Sequence, residues 1–157
     1  MVRNASDKLV SRERLADVAT VYQATRQAIV FTNGCFDIIH SGHIKILKEC
    51  AGLGDSVIVG LNSDDSVKKL KGPGRPINPL KDRMEVLSAI RYVDYVIPFS
   101  EPTPYRLIKT IKPEFLVKGG DYKEDEVVGR EFAGRVVIVK LLKGRSTTRI
   151  IEKVLNK

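Results

Sequence analysis

Both histidines of this chain fall in one short stretch, Thr32-Asn33-Gly34-Cys35-Phe36-Asp37-Ile38-Ile39-His40-Ser41-Gly42-His43. Side chains three apart at the start of a helix share one face, so His40 and His43 are expected side by side. Gly34 and Gly42 permit close backbone approach, and a helix N-terminus favours an anion. Two imidazoles placed there can hydrogen-bond a polyphosphate and follow negative charge as it moves to a leaving group. The plainer reading is a helix cap with one structural histidine. A zinc site lacks an evident third ligand, and the stretch is not the GxGxxG of a dinucleotide fold. Cys35 has no base arranged beside it in the sequence. It reads as a small packing residue whose N–H can face a phosphate.

Three further stretches could hold an anion or a base. In Gly144-Arg145-Ser146-Thr147-Thr148-Arg149, Ser146 is a good N-cap, and the free N–H groups behind it form an anion site. Lys68-Lys69-Leu70-Lys71-Gly72-Pro73-Gly74-Arg75-Pro76 can close lysines and an arginine over phosphates, or can be a solvated basic loop. In Leu116-Val117-Lys118-Gly119-Gly120-Asp121-Tyr122, the two glycines let a base lie against the backbone, or form a simple strand-end turn. Asp64 and Asp65 are candidates for indirect Mg²⁺ contact, or are solvated carboxylates. Asp37 stands out because it lies inside the histidine stretch.

These stretches need a frame that brings them together. Ala28-Ile29-Val30-Phe31-Thr32, Ser56-Val57-Ile58-Val59-Gly60-Leu61, Tyr95-Val96-Ile97, Phe115-Leu116-Val117 and Val136-Val137-Ile138-Val139 read as buried strands. Between them the pattern predicts helices over about residues 42–53, 80–91, 105–111 and 147–155, with one before the first strand capped by Ser11. Asn78-Pro79 is expected to cap the second of these. Residues 62–79 read as a long polar loop with at most one short helix. Alternating strands and helices indicate an α/β, Rossmann-like, doubly wound and mainly parallel five-stranded sheet with helices on both faces. Such sheets bind ligands beyond the carboxyl ends of their strands, where the motifs lie. The expected organisation is one domain over 1–157, with a helical extension at 1–27 and a core at 28–157.

Composition narrows the partners. A content of 43% hydrophobic and 29% charged residues suits a folded globular chain of 157 residues rather than a disordered one. No apolar run is long enough to span a membrane, and no signal core opens the chain, so a cytoplasmic protein is expected. Two cysteines without a CxxC pair fit reduced thiols. The net charge of +8 suits an anionic partner. Aromatics are only 6% and no basic stripe interleaves with them, which favours phosphorylated small molecules over nucleic acid. A non-catalytic nucleotide- or nucleic-acid-binding module is the alternative from another class.

Gly34-Cys35-Phe36-Asp37-Ile38-Ile39-His40-Ser41-Gly42-His43 resembles the GxFDxxHxGH signature of the cytidylyltransferase-like nucleotidyltransferase superfamily. Arg145-Ser146-Thr147-Thr148-Arg149-Ile150 resembles its second, ISTT-type signature. Val59-Gly60-Leu61-Asn62-Ser63-Asp64, Arg75-Pro76-Ile77-Asn78-Pro79, Asp82-Arg83-Met84 and Leu116-Val117-Lys118-Gly119-Gly120-Asp121-Tyr122 look like the heptose 1-phosphate adenylyltransferase family within it. In many bacteria such domains are fused to a sugar kinase, and a stand-alone form is expected here. Glycerol-3-phosphate cytidylyltransferases, also similar, carry an arginine where Leu141 stands and an acid where Gly120 stands. Those departures imply ATP rather than CTP, with polyol phosphate cytidylyl transfer as the alternative.

The resemblance implies the following roles. His40 and His43 would hold the triphosphate and stabilise the transition state, with Lys71 closing over it and Lys68 or Lys69 helping. Asn33, Gly34, Cys35, Phe36 and Gly42 would line the nucleotide. Lys118, Gly119 and Gly120 would line the base and ribose, and Arg145, Ser146 and Thr147 would bind the outer phosphates. Asp37, Asn62, Asp64, Arg75, Arg83 and Asp121 would meet the second substrate or brace the site, Arg83 from behind. Mg²⁺ is expected with ATP, held by phosphate oxygens rather than by protein ligands. ATP and a sugar phosphate are the implied partners, with no nucleic acid or membrane, in a homodimer or higher homo-oligomer.

Overall fold

A computed structural model describes residues 4–142 and 144–156 of the chain; Lys143, just ahead of the second motif, lies outside them. The five apolar runs form β1 (Ile29–Gly34), β2 (Ser56–Asn62), β3 (Tyr95–Phe99), β4 (Phe115–Gly119) and β5 (Arg135–Val139). They pair in the order β3-β2-β1-β4-β5, and every pairing is parallel. Between them run α1 (Arg12–Ala24), α2 (Ser41–Leu53), α3 (Asp64–Lys71), α4 (Leu80–Ser88), α5 (Tyr105–Ile111) and α6 (Thr147–Leu155).

Alternation along each strand sends successive side chains to opposite faces. Ile29, Phe31, Ile58, Tyr95, Ile97, Phe99 and Leu116 pack on one face with Leu15 and Ala19 of α1 and Leu107, Ile108 and Ile111 of α5. Val30, Val57, Val59, Leu61, Val96 and Val117 pack on the other with Leu47 and Cys50 of α2 and Leu87 of α4. Leu47 is completely buried, so truncating it to alanine is expected to cost about 2–5 kcal/mol. The N-terminal extension protects the outer edge of β3. Val10 donates its N–H to the Val96 carbonyl at 3.1 Å, and the Lys8 amine reaches the Ile90 carbonyl.

The chain leaves β1 towards β2 on one side, and β4 joins β1 on the other. The strand order therefore reverses between β1 and β4, which opens a crevice at their carboxyl ends. The short helix allowed for in residues 62–79 is α3, capped by the Ser63 hydroxyl, which accepts the Ser66 N–H. One expectation needs correction. Asn78 does not cap α4. Pro79 stands at that position, and α4 ends at Ser88 rather than near residue 91.

Candidate active site

A cleft of about 600 Å³ opens over the crevice, lined by residues of both signature motifs, of β4 and of the segments after α3 and β3. Its inner wall is the turn between β1 and α2. Phe36 adopts a left-handed backbone with φ 45°, a conformation costly for a bulky residue and one the surrounding structure must enforce. The enforcement comes from two bonded groups beneath the turn. Arg83 is buried, and its guanidinium donates to the carbonyls of Cys35, Asn62 and Asn78 while pairing with Asp64 at 2.7 Å. Asp37, equally buried, accepts from Arg75 Nε at 2.8 Å and from the N–H groups of Ile77 and Asn78. Asn78 returns its side-chain amide to the Asp37 carbonyl. Burial pushes the Asp37 carboxyl up, but the Asn78 and Ile77 N–H groups and Arg75 outweigh it and hold the carboxyl below its usual range.

The two histidines are bonded reciprocally at the head of α2. The Gly42 N–H donates to His40 Nδ1 at 3.1 Å, and the His40 N–H donates to His43 Nδ1 at 3.3 Å. Their ring centroids are 3.9 Å apart, with the Phe36 ring 5.0 Å from that of His43. A side chain at Gly42 would collide with the His40 ring, so only glycine lets the ring fold over the helix start. A nitrogen that accepts an N–H carries no proton of its own. Both neutral rings must then be protonated at Nε2, leaving two Nε2–H donors in a cleft that both residues line. Burial lowers the pKa of His43 to about 4, helped by His40, and burial and Arg145 lower that of His40. The pair is therefore neutral at pH 7. The cap that the plainer reading proposed is real, and it fixes the tautomer.

The second motif stands opposite. Ser146 caps α6 by accepting the Arg149 N–H, and Arg145, Ser146, Thr147 and Thr148 line the cleft. The Thr147 hydroxyl donates to the Ile38 carbonyl at 3.2 Å, so it ties α6 to the histidine turn rather than standing free for a phosphate. Lys71 is the last residue of α3, not part of a loop, and Lys71, Leu70 and Arg75 line the cleft. Lys68 and Lys69 are exposed on α3 and do not line it.

At the end of β4, Lys118 and Gly119 line the cleft on opposite faces of the sheet. Lys118 Nζ donates to Asn33 Oδ1 at 2.7 Å. A side chain at Gly119 would run into Ile46 and Leu141. Gly120 is buried, donating its N–H to the Val139 carbonyl, and Asp121 is exposed; neither lines the cleft. Asp64 and Arg83 also stand behind the wall rather than in it. Sequence reasoning missed the far wall: Phe99 at the end of β3 and Pro102, Thr103 and Pro104 after it, with Tyr122, Glu126, Val127 and Val128 beyond β4. The position of Phe99 at a strand's carboxyl end, with Thr103 just past it, was the available signal.

A doubly wound parallel sheet whose switch-point cleft is walled by two helix N-termini defines a nucleotide-handling α/β enzyme. Residues 31–153 match the family model described as cytidylyltransferase-like, and the chain belongs to that family. It is 47% identical over 150 residues to the bifunctional protein HldE of Wolinella succinogenes, covering 96% of this chain and 32% of that protein. To the protein of the same name from a Nitratiruptor species it is 57% identical over 126 residues, covering 80% and 27%. The chain thus spans about a third of the length of these curated relatives. Among solved structures it resembles a lipopolysaccharide core biosynthesis protein from Thermoplasma volcanium, with a TM-score of 0.63, 27% identity, and coverage of 76% of this chain and 99% of that one. A Francisella tularensis pantoate-beta-alanine ligase shares the fold at a TM-score of 0.55 and 14% identity, covering 95% and 79%.

Proposed function

We propose that the chain transfers the adenylyl group of ATP to a sugar 1-phosphate, D-glycero-β-D-manno-heptose 1-phosphate, giving ADP-heptose and pyrophosphate. The observation that carries this reading is the neutral histidine pair, with both Nδ1 atoms occupied and two Nε2–H donors left in one cleft with Lys71 and the head of α6. The identity to HldE proteins supports the same reading, as do the Lys118-Gly119-Gly120-Asp121-Tyr122 stretch and the Leu141 position.

In this reaction an oxygen of the sugar phosphate attacks the α-phosphorus of ATP in line, and the bond to the β-phosphate oxygen breaks. No covalent enzyme intermediate is required, so the protein positions groups and stabilises charge. His40 and His43 donate Nε2–H bonds to the triphosphate, strongest as negative charge gathers on departing pyrophosphate. Being neutral, they gain a donor role without holding the product as a full cation would. Lys71 supplies charge from the outer wall, and the N–H groups of the first turn of α6 meet the outer phosphates. Gly119, with Ile46 and Leu141 packed beside it, gives the cleft an apolar surface against which the base can lie.

The carboxylates of this wall are already engaged: Asp37 by Arg75 and Asp64 by Arg83. Among the described residues no cluster of three or more His, Cys, Asp or Glu side chains could hold a metal. That donor set fits Mg²⁺ arriving on the triphosphate, held by phosphate oxygens and neutralising their charge. No described helix is long and apolar enough to cross a membrane.

The test is pyrophosphate release from ATP, CTP, GTP and UTP, each with several sugar 1-phosphates and with glycerol 3-phosphate. ATP with the heptose phosphate is expected to give the highest kcat/KM. A clear preference for CTP and a polyol phosphate would overturn the reading.

A further inference from the structure

The cleft straddles the end of the sheet, and its two halves belong to different faces. Side-chain alternation sets this. Val30 of β1 and Val117 of β4 pack on the face that carries α2, as does Phe36, whose ring meets His43. Phe31 and Leu116 pack on the face that carries α1 and α5. Two residues beyond these, Asn33 and Lys118 must point to the α5 face. The glycine contacts agree: a side chain at Gly60, paired with Asn33, would meet Phe31 and Asn33. Gly119 points the other way, to Ile46 of α2 and to Leu141.

The half over α2 therefore holds the histidines, Gly119 and the head of α6, all that a nucleoside triphosphate needs. The half over α5 holds a different set: Lys118, Asn33, Tyr122, Glu126, Phe99 and Thr103. Among those residues the cation is Lys118, whose amine is bonded to the neutral Asn33 amide and lies 6.0 Å from the Tyr122 ring centroid. Among the described residues no carboxylate lies within ion-pair distance of that amine. A largely buried cation on a cleft wall with no anion beside it is uncompensated until an anion arrives.

We propose that Lys118, oriented by Asn33, is the acceptor-side cation: it binds the phosphate of the sugar 1-phosphate and sets its oxygen on the α5 side of the triphosphate. This rests on the reading of the cleft as an adenylyltransferase site, and it moves Lys118 from the base and ribose to the second substrate. Burial lowers the pKa of the amine, and a bound phosphate would favour its charged form again. Thr103 and Glu126, in the same half, would be the polar groups nearest the sugar hydroxyls.

Lys118→Met keeps the length of the side chain and removes the charge. Melting temperature, KM for ATP, KM for heptose 1-phosphate and the Kd of α,β-methylene-ATP are measured on the full chain, wild type and variant. A lost charge-assisted bond is expected to raise KM for the sugar phosphate about 10–100-fold. The KM for ATP and the Kd of the analogue are expected to stay within about twofold, and Lys118→Arg to recover part of the sugar-phosphate affinity. If Lys118→Met does not fold, Lys118→Gln, which keeps a donor for Asn33, gives the same readout. Weakened ATP or analogue binding with an unchanged KM for the sugar phosphate would overturn the proposal and return Lys118 to the nucleotide. Equal loss of both affinities, or of neither, would overturn it too. Absence of pyrophosphate release by the wild type with ATP and every sugar 1-phosphate would instead overturn the underlying reading.

Discussion

The inner and outer walls of the cleft bring cations and donors to one space by opposite means. On the inner wall the groups that set the geometry have partners before any substrate arrives, and only the two Nε2–H donors are left over. His40 and His43 cap α2 and each other, Asp37 is saturated by Arg75 and two N–H groups, and Arg83 is locked among three carbonyls and Asp64. On the outer wall Lys71 ends α3 exposed, ahead of the Gly72-Pro73-Gly74 turn, and its amine makes no hydrogen bond or ion pair to another described residue. Groups that must stabilise a transition state benefit from being fixed beforehand, because no reorganisation is then needed as charge develops. A group that must let substrate in and product out benefits from freedom. The same charge chemistry is thus divided between a built wall and an exposed cation at a helix end.

Breaking the built wall is expected to have the largest effect. His40→Ala and His43→Ala should each lower turnover about 10²–10³-fold, equivalent to roughly 2.7–4 kcal/mol of transition-state stabilisation. The double variant should lose less than the product of the two, since both rings serve one charge. ATP binding should weaken far less than turnover. Single-turnover rates with melting temperatures check this. Because the rings also cap α2, a loss of about 0.5–2 kcal/mol in stability is expected alongside. Turnover falling only in proportion to the folded fraction would reduce the pair to a cap. The outer wall should respond differently. Lys71→Ala is expected to lower kcat/KM about 10-fold or more by removing one charge-assisted contact, with a melting temperature nearly unchanged. Unaltered kinetics would make α3 a solvated surface and leave the inner wall to act alone.

The same contrast explains what could be read from the sequence. The five strands were legible because each is a short continuous apolar run, the mark of a parallel sheet covered by helices, even though β5 at the sheet edge is mostly half-buried. The histidine motif was legible because its glycines and spacing are local features. Helix α3 was not: of its side chains only Ser66 and Val67 are buried, so its helical period is nearly all polar. Asn78 looked like a cap because it precedes Pro79, but its amide is taken by the Asp37 carbonyl, 41 positions away. Arg83 stands behind the cleft wall, and its partners come from three stretches of the chain, at Cys35, at Asn62 and Asp64, and at Asn78, which no local pattern brings together. The far wall from Phe99 to Pro104, and the face to which Lys118 points, depend on strand order and register, which no local pattern encodes.

Histidines acting as a neutral pair of Nε2–H donors must show it in their proton linkage. His43 has a folded pKa of about 4 against an ordinary 6.5, so between those values the unfolded chain binds a proton that the folded chain refuses. The stability that depends on neutral His43 is complete above pH 6.5 and is lost as pH falls towards 4. The most direct measurement is ¹⁵N NMR of histidine-labelled protein from pH 7 down to pH 5, with and without α,β-methylene-ATP. Both rings are expected to be neutral at pH 7 and His43 to remain neutral at pH 6, with the proton on Nε2 and Nδ1 accepting, and their Nε2 resonances are expected to shift when the analogue binds. Imidazolium at pH 7, the Nδ1–H tautomer, or Nε2 resonances that ignore a saturating analogue would contradict it.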